Sequence, residues 1–409
     1  MVAILNRKSR IAYFIYVIIA VIIWILGFNE MPEILDVSEY KLYSKSLTDG
    51  MSVFKLSDRW MEDSRRTPIY PILISFNNNF YIIRLLQLFS WLAYPLISNQ
   101  ILKKLSLHDV SIEHWVIVLT SLFPLGYYYS FITIPDIFTG ILLGLWIIKT
   151  LDKKFFIASV ISAVLIGLKP IFIFTVLLFP FFAITDIKKW ILSQFIVVFT
   201  ITFLMFWNFS RTNRFEISSV STTNLYDYNR KLVLRFELGT ETTDSIYKAE
   251  KDLIQRKKLN EIQLKKFLRQ QSVNTILEYP LTYLFIHFKG MFATIIDPGR
   301  FDAMVYWGWK RSRGFLDVND GHQQSNLPWF QWIYIAAFLA INIIRGIVFS
   351  LGIWRNRQNL KVLWLCFLII TYLFFIGPVG SARYLIPIII PIISISVLGL
   401  RNSLLANSK

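Results

Sequence analysis

Leu35-Asp36-Val37-Ser38-Glu39-Tyr40-Lys41-Leu42-Tyr43 follows directly on the first long apolar segment of the chain, Ile11 to Phe28. The stretch is polar yet tethered to an apolar anchor. If Asp36 opens a short helix, Glu39, Tyr40 and Tyr43 stand three, four and seven positions on, so one side carries two carboxylates and two phenols. Asp36-x-x-Glu39 is also the pattern of a capping box, in which Asp36 takes a backbone N–H and Glu39 reaches back. The spacing alone leaves both readings open.

Outward from that stretch the chain is apolar. Of 409 residues, 55% are hydrophobic, 16% aromatic and 17% charged, whereas a water-exposed surface calls for about 25% charge. The expectation is an all-α polytopic membrane protein. Apolar runs near 11–28, 80–102, 114–131, 136–151, 155–168, 171–187, 191–207, 329–353, 362–377 and 384–400 give about ten transmembrane helices. The basic start with Arg7, Lys8 and Arg10 resembles a signal peptide but has no small-residue cleavage site, so the first span is expected to be retained.

Short basic clusters set the orientation. Arg7/Lys8/Arg10, Lys103/Lys104, Lys149/Lys153/Lys154, Lys188/Lys189, Arg355/Arg357/Lys361 and Arg401/Lys409 fall on one side of a ten-span chain, the expected cytoplasmic side, with both termini inside. The loop 29–67 runs against this with six basic residues, offset by eight acidic ones. The net charge of +17 is thus accounted for by membrane orientation and anionic lipid contact, and nucleic acid is not an expected partner. The single cysteine, Cys366, excludes an intramolecular disulfide and a cysteine-based metal site.

Two outer regions remain in a single membrane domain spanning 1–409: a first loop, 29–79, and a larger loop, 208–328, ahead of the C-terminal transmembrane helices at 329–409. The first contains Arg65-Arg66-Thr67-Pro68-Ile69-Tyr70-Pro71, whose prolines break helix before a short interfacial piece. The second has a Ser/Thr-rich start, Ser218 to Thr223. A charged helix from Ser245 to Glu278 follows, stopped by Tyr279-Pro280. Next comes an interfacial amphipathic stretch, Leu281 to Ile296, with His287 and Lys289 inside it. Trp307-Gly308-Trp309-Lys310, Trp329 and Trp332 then read as an aromatic belt.

Several separated motifs together resemble the GT-C class of membrane glycosyltransferases, in the branch of protein O-mannosyltransferases and lipid A aminoarabinose transferases. They are Asp36-Val37-Ser38-Glu39-Tyr40 and Arg66-Thr67-Pro68-Ile69-Tyr70-Pro71 in the first loop, Pro135-Asp136 opening the fourth span and Lys169-Pro170 closing the fifth. Asn208 to Leu225 follows the seventh span, and Arg383-Tyr384-Leu385-Ile386-Pro387 precedes the last. The glycine that often precedes Asn-Leu is replaced by Thr222-Thr223, and no large globular domain is expected after the last span, a departure from the lipid A enzymes that leaves the acceptor open.

The resemblance implies a polyprenyl-phosphate sugar as donor and a hydroxyl of a lipid-linked glycan or protein as acceptor, at the outer face of the cell (inner or plasma) membrane. It implies hexosyl or pentosyl transfer. The leaving phosphate is already anionic, so the reaction needs one base and cations, and a single displacement inverts the anomeric centre. Asp36 is the expected base, and Asp136 a second catalytic or acceptor-orienting acid, although a helix N-terminus favours an acid there in any case. Glu39, Tyr40, Arg66, Tyr70, Lys169, Arg383 and Tyr384 are the expected substrate-binding residues. Lys169 and Arg383 suit phosphate, or else snorkel toward headgroups.

No cofactor is required. The histidines His108, His114, His287 and His322 show no paired ligand spacing, so no metal ligands are assigned, and a divalent cation at Asp36 and Asp136 stays conceivable. The basic residues of the charged helix, Lys248 to Arg269, are read as a solvated face or as a surface for membrane or pyrophosphate. The Asn208-Phe209-Ser210 sequon lies against a span and carries no expected role. A transporter or flippase of lipid-linked saccharide, and a surface-polysaccharide polymerase, are the competing classes. Arg345, inside the eighth span, is the residue most suited to transport, with snorkelling as its alternative.

Overall fold

A computed structural model of the chain describes residues 6–28, 35–48, 53–56, 59–62, 66–76, 80–107, 112–212, 214–259, 261–297, 299 and 329–405. Arg65, His108, His322, the Trp307–Lys310 stretch and parts of both expected outer loops lie outside the described residues. The first apolar run forms α1 (Arg7–Phe28) and the polar stretch after it forms α2 (Leu35–Thr48). An antiparallel hairpin, β1 (Val53–Leu56) with β2 (Arg59–Glu62), is an addition to the helical expectation. The short α3 (Ile69–Ser75) begins right after Pro68, where the proline stops the preceding chain from being helical.

The centre is built from α4 (Tyr81–Lys104), α7 (Asp136–Leu151) and α17 (Ile389–Leu405). Close approach is possible because α7 presents Gly140 to Tyr94 and Gly144 to Ile97 and Ile390. The Tyr94 hydroxyl lies 3.1 Å from Ile137 O and 3.3 Å from Ile386 O, while the Ser98 hydroxyl reaches Ile390 O at 3.4 Å. At the far ends of α4 and α7, Lys104 and Asp152 pair at 2.8 Å. The three helices therefore run in the same direction, α7 and α17 beginning beside the middle of α4.

The third apolar run breaks in two, α5 (Glu113–Ser121) and α6 (Pro124–Tyr129), because Pro124 cannot donate to the preceding turn. Arg345 fills that break. It sits on α15 (Trp329–Arg355), is buried, donates to Leu122 O at 3.1 Å and lies 4.9 Å above the Phe123 ring. This corrects the snorkelling expectation: the cation compensates carbonyls at the C-terminus of α5, where the helix dipole is negative.

The expected sixth span is not a helix either. α8 (Phe155–Leu168) and α10 (Ile187–Thr212) lie side by side in parallel, with Phe155 edge-on to Trp190 at 5.7 Å and Ser159 hydrogen-bonded to Ser193 at 3.0 Å. The intervening chain must therefore return along them. It does so as two 3₁₀ segments (Pro170–Ile173 and Phe181–Asp186) around the single-turn α9 (Phe174–Leu177), since Pro170 and Pro180 supply no N–H to a continuous helix.

The large loop starts with α11 (Val220–Thr223) and a π-helical segment, Asn224–Arg230. The one charged helix expected there is two, α12 (Lys231–Lys257) and α13 (Glu261–Glu278), divided at Lys258, whose φ of 46° is left-handed. Arg230 ties the loop together, pairing with Glu250 at 2.7 Å under the rings of Tyr226 and Tyr247. Asn208 of the sequon is buried and donates to Glu216 O and Ile217 O, a structural use of its amide. α14 (Pro280–Ile296) and α16 (Leu360–Ile376) complete the described helices.

Among the described residues, five helical segments are long and apolar enough to cross a membrane: Arg7–Gly27, Tyr81–Lys104, Phe181–Ser210, Trp329–Arg355 and Ala382–Leu400. α8, α14 and α16 are shorter apolar helices. Phe14, Ile25 and Leu26 of α1, Phe195, Phe199 and Phe206 of α10, and Ile343, Ile344 and Ile347 of α15 all face outward. Apolar faces this extensive belong in a bilayer, and the protein is a membrane-embedded helical one.

Candidate functional site

α2 begins at Leu35, so Asp36 lies within its first turn, where the dipole favours a carboxylate. Both Asp36 oxygens are engaged by guanidinium groups: Oδ1 with Arg66 at 2.5 Å and Oδ2 with Arg383 at 2.7 Å. Glu39, one turn along the same face, takes Arg66 Nε at 2.7 Å and its NH2 nitrogen at 2.6 Å. Arg66 reaches both acids because α3 is packed on α2, with Tyr70 edge-on to Tyr40 at 4.9 Å. Tyr40 also lies under the Arg66 guanidinium, 5.1 Å from its ring centroid.

Asp136 opens α7 after Pro135 and is wholly buried. Its Oδ1 accepts from Lys169 Nζ at 2.7 Å, and its Oδ2 faces Arg383 at 3.4 Å. Arg383 therefore bridges the two aspartates, and charges alternate along one line: Glu39, Arg66, Asp36, Arg383, Asp136, Lys169. Tyr384 lies 6.0 Å from Lys169 and 5.8 Å from Arg383, and Tyr129 covers Arg383 from a further side at 5.8 Å. All nine residues singled out from the sequence thus fall in one cluster, drawn from five separate parts of the chain.

The cluster is graded in accessibility. The side chains of Glu39 and Asp136 are 1% and 0% exposed, whereas Asp36, Arg66, Arg383 and Lys169 keep 22%, 18%, 15% and 12%. Asp36 and the three cations thus keep exposed surface that Asp136 lacks. Burial pushes the Asp36 carboxyl up, but Arg383 and Arg66 outweigh it and hold the group well below the usual carboxylate range. Three cationic side chains on the acids make a poor cradle for a divalent ion, which needs those oxygens for itself. No group of three or more metal-ligating side chains occurs among the described residues.

Four residues outside the sequence-derived set position the cluster. Gln87 Nε2 donates to Ile132 O at 2.9 Å and Ile134 O at 2.7 Å, fixing the turn that delivers Asp136. Tyr94 ties the first turn of α7 to the 3₁₀ segment that carries Arg383, Ala382–Ile388. Asp297, just past α14, accepts from the Ala382 N–H at 3.0 Å and holds the residue next to Arg383. Gly290 lets α14 press on the backbone of Pro378 in the same loop. Gln87, Tyr94 and Ser98 form a polar stripe at helical spacing inside an apolar span, a signal legible in the sequence; Asp297 has no such signal. The remaining described histidine of the large loop, His287, is buried with Nε2 donating to Phe374 O at 2.7 Å.

Fold and site together define a helical membrane protein with a neutral chain of ion pairs at one end of its bundle, lined by tyrosines. Compared with protein-family models, curated proteins and solved structures, the sequence and fold match none of them.

Proposed function

We propose that the protein is an inverting glycosyltransferase of the GT-C kind. It moves a sugar from a polyprenyl-phosphate donor to an acceptor hydroxyl, with Asp36 as general base. The observation that carries this reading is the accessible Asp36 carboxylate held directly against Arg383, with Lys169 behind it. Base and phosphate-binding cations are then side by side, as transfer from a phosphate-linked donor requires.

The resting arrangement is not yet that of an active base, because Arg66 and Arg383 keep Asp36 weakly basic. A donor phosphate that engages Arg383 and Lys169 shares the charge that Asp36 otherwise sees, and its carboxylate becomes more basic. The acceptor proton passes to Asp36, the acceptor oxygen bonds to the anomeric carbon, and the bond from that carbon to the phosphate oxygen breaks. Polyprenyl phosphate leaves as the anion. Retention would need a second carboxylate as nucleophile; Asp136, fully buried and tied to Lys169, does not offer one.

A ten-crossing chain in the cell membrane, with both termini cytoplasmic and the site outside, belongs to the same proposal. Its support is directional: α4, α7 and α17 run one way, and the irregular chain between parallel α8 and α10 makes the extra crossing. The deciding experiment measures transfer from a panel of polyprenyl-phosphate sugars in reconstituted membranes. Asp36→Asn is expected to bind donor and to transfer about a hundredfold more slowly, while Lys169→Ala and Arg383→Ala weaken donor binding. Wild-type transfer by Asp36→Asn would remove the base, and saccharide movement without transfer by the wild type would return the flippase reading.

A further inference from the structure

At the opposite end of the bundle from the ion-pair chain, α8 and α10 enclose a groove of about 590 Å³, within the roughly 300–1,000 Å³ of small-molecule sites. Lys153, Lys154 and Lys189 stand at its rim, and Phe156, Leu192 and Ile196 form its apolar wall. Lys153 and Lys189 share one acid, Asp186, at 2.9 and 3.1 Å. Lys154 has no acidic partner among the described residues, so the rim keeps an excess of positive charge. Phe156 and Leu192 are 68% and 69% exposed along the wall.

We infer that this groove binds an anionic glycerophospholipid, its phosphate at the three lysines and an acyl chain along Phe156, Leu192 and Ile196. The division of the groove into a cationic rim and an apolar trough matches a lipid's division into headgroup and tail. A soluble anion would engage the lysines but make no use of the apolar trough. A second copy of the chain, with a net charge of +17, would meet the lysines with like charge. The inference rests on membrane embedding and is independent of the glycosyltransferase proposal.

The test uses the full-length protein in neutral detergent, with thermal unfolding followed as phosphatidylglycerol, phosphatidylcholine of the same acyl chains, or inorganic phosphate is added. Phosphatidylglycerol is expected to stabilise at about tenfold lower concentration than phosphatidylcholine, and the combined Lys153→Gln, Lys154→Gln, Lys189→Gln variant to lose that preference. Lys154→Gln alone breaks no ion pair, so its fold is safe; it should lower the preference by about threefold. A control variant with Lys248→Gln, Lys251→Gln and Lys257→Gln makes the same change in net charge on α12 and should keep it. Equal stabilisation by both lipids, an equal effect of inorganic phosphate, a preference surviving loss of the rim lysines, or an equal loss in the control would each overturn the assignment.

Discussion

Arg383 is the residue on which the two acids of the site depend, since among the described residues it alone pairs with both Asp36 and Asp136. Buried ion pairs recover their desolvation cost only while every partner is present, and loss of one costs about 3–5 kcal/mol. A pH signature follows for Asp36. Its folded pKa lies below its unfolded one, so its ionised form stabilises the fold at neutral pH; that stability declines as pH drops below the unfolded carboxylate pKa and is gone once pH has fallen through the depressed value. The same displacement separates two kinetic profiles. On the proposed function, the acid limb of kcat/KM, which reports the donor-free protein, should lie below the usual carboxylate range, and the limb of kcat, which reports the donor complex, should lie higher than that of kcat/KM. Arg66→Gln should move the kcat/KM limb upward. Coincident limbs for kcat and kcat/KM in the wild type would show that donor binding does not relieve Asp36.

Among the elements, α2 was the most legible: its i, i+3 and i+4 residues, Asp36, Glu39 and Tyr40, turn to one site, while Tyr43 at i+7 is buried. Arg66 and Arg383, distant in sequence, engage both oxygens of Asp36, a use that the capping-box spacing could not foretell. The breaks at Phe123–Pro124 and at Lys169–Pro180 were harder to read. Hydropathy averages over a window and sees apolar chain whether or not it is helical, so proline was the only local hint. Packing between elements is tested at α15 and α17. A side chain on Gly352 would meet the backbone carbonyl of Ile395, whereas Gly346, on the same helix, faces open space. Gly352→Val should destabilise by about 1–3 kcal/mol and Gly346→Ala should be neutral, as read by thermal unfolding in detergent. Equal behaviour of the two variants would rule out close α15–α17 packing.

At the scale of the molecule, the proposed orientation puts the large loop and the lysine groove on opposite sides of the membrane. In a Cys366→Ala background, Lys248→Cys on α12 should react with a membrane-impermeant thiol reagent in intact cells. Lys188→Cys, at the start of α10, should react only after permeabilisation. Labelling of both from one side would refute the topology. The sequence by itself determined the membrane class, the apolar helices and which charged residues stand out beside apolar chain, because apolar length and the cost of charge near a bilayer are local properties. Only the tertiary structure decided that Glu39, Arg66, Asp36, Arg383, Asp136 and Lys169 form one alternating line. Only it decided, too, that α8 and α10 run in parallel and that Arg345 closes a broken helix. Each of these depends on contacts between residues far apart in the chain, where spacing along the sequence carries no information about distance in space.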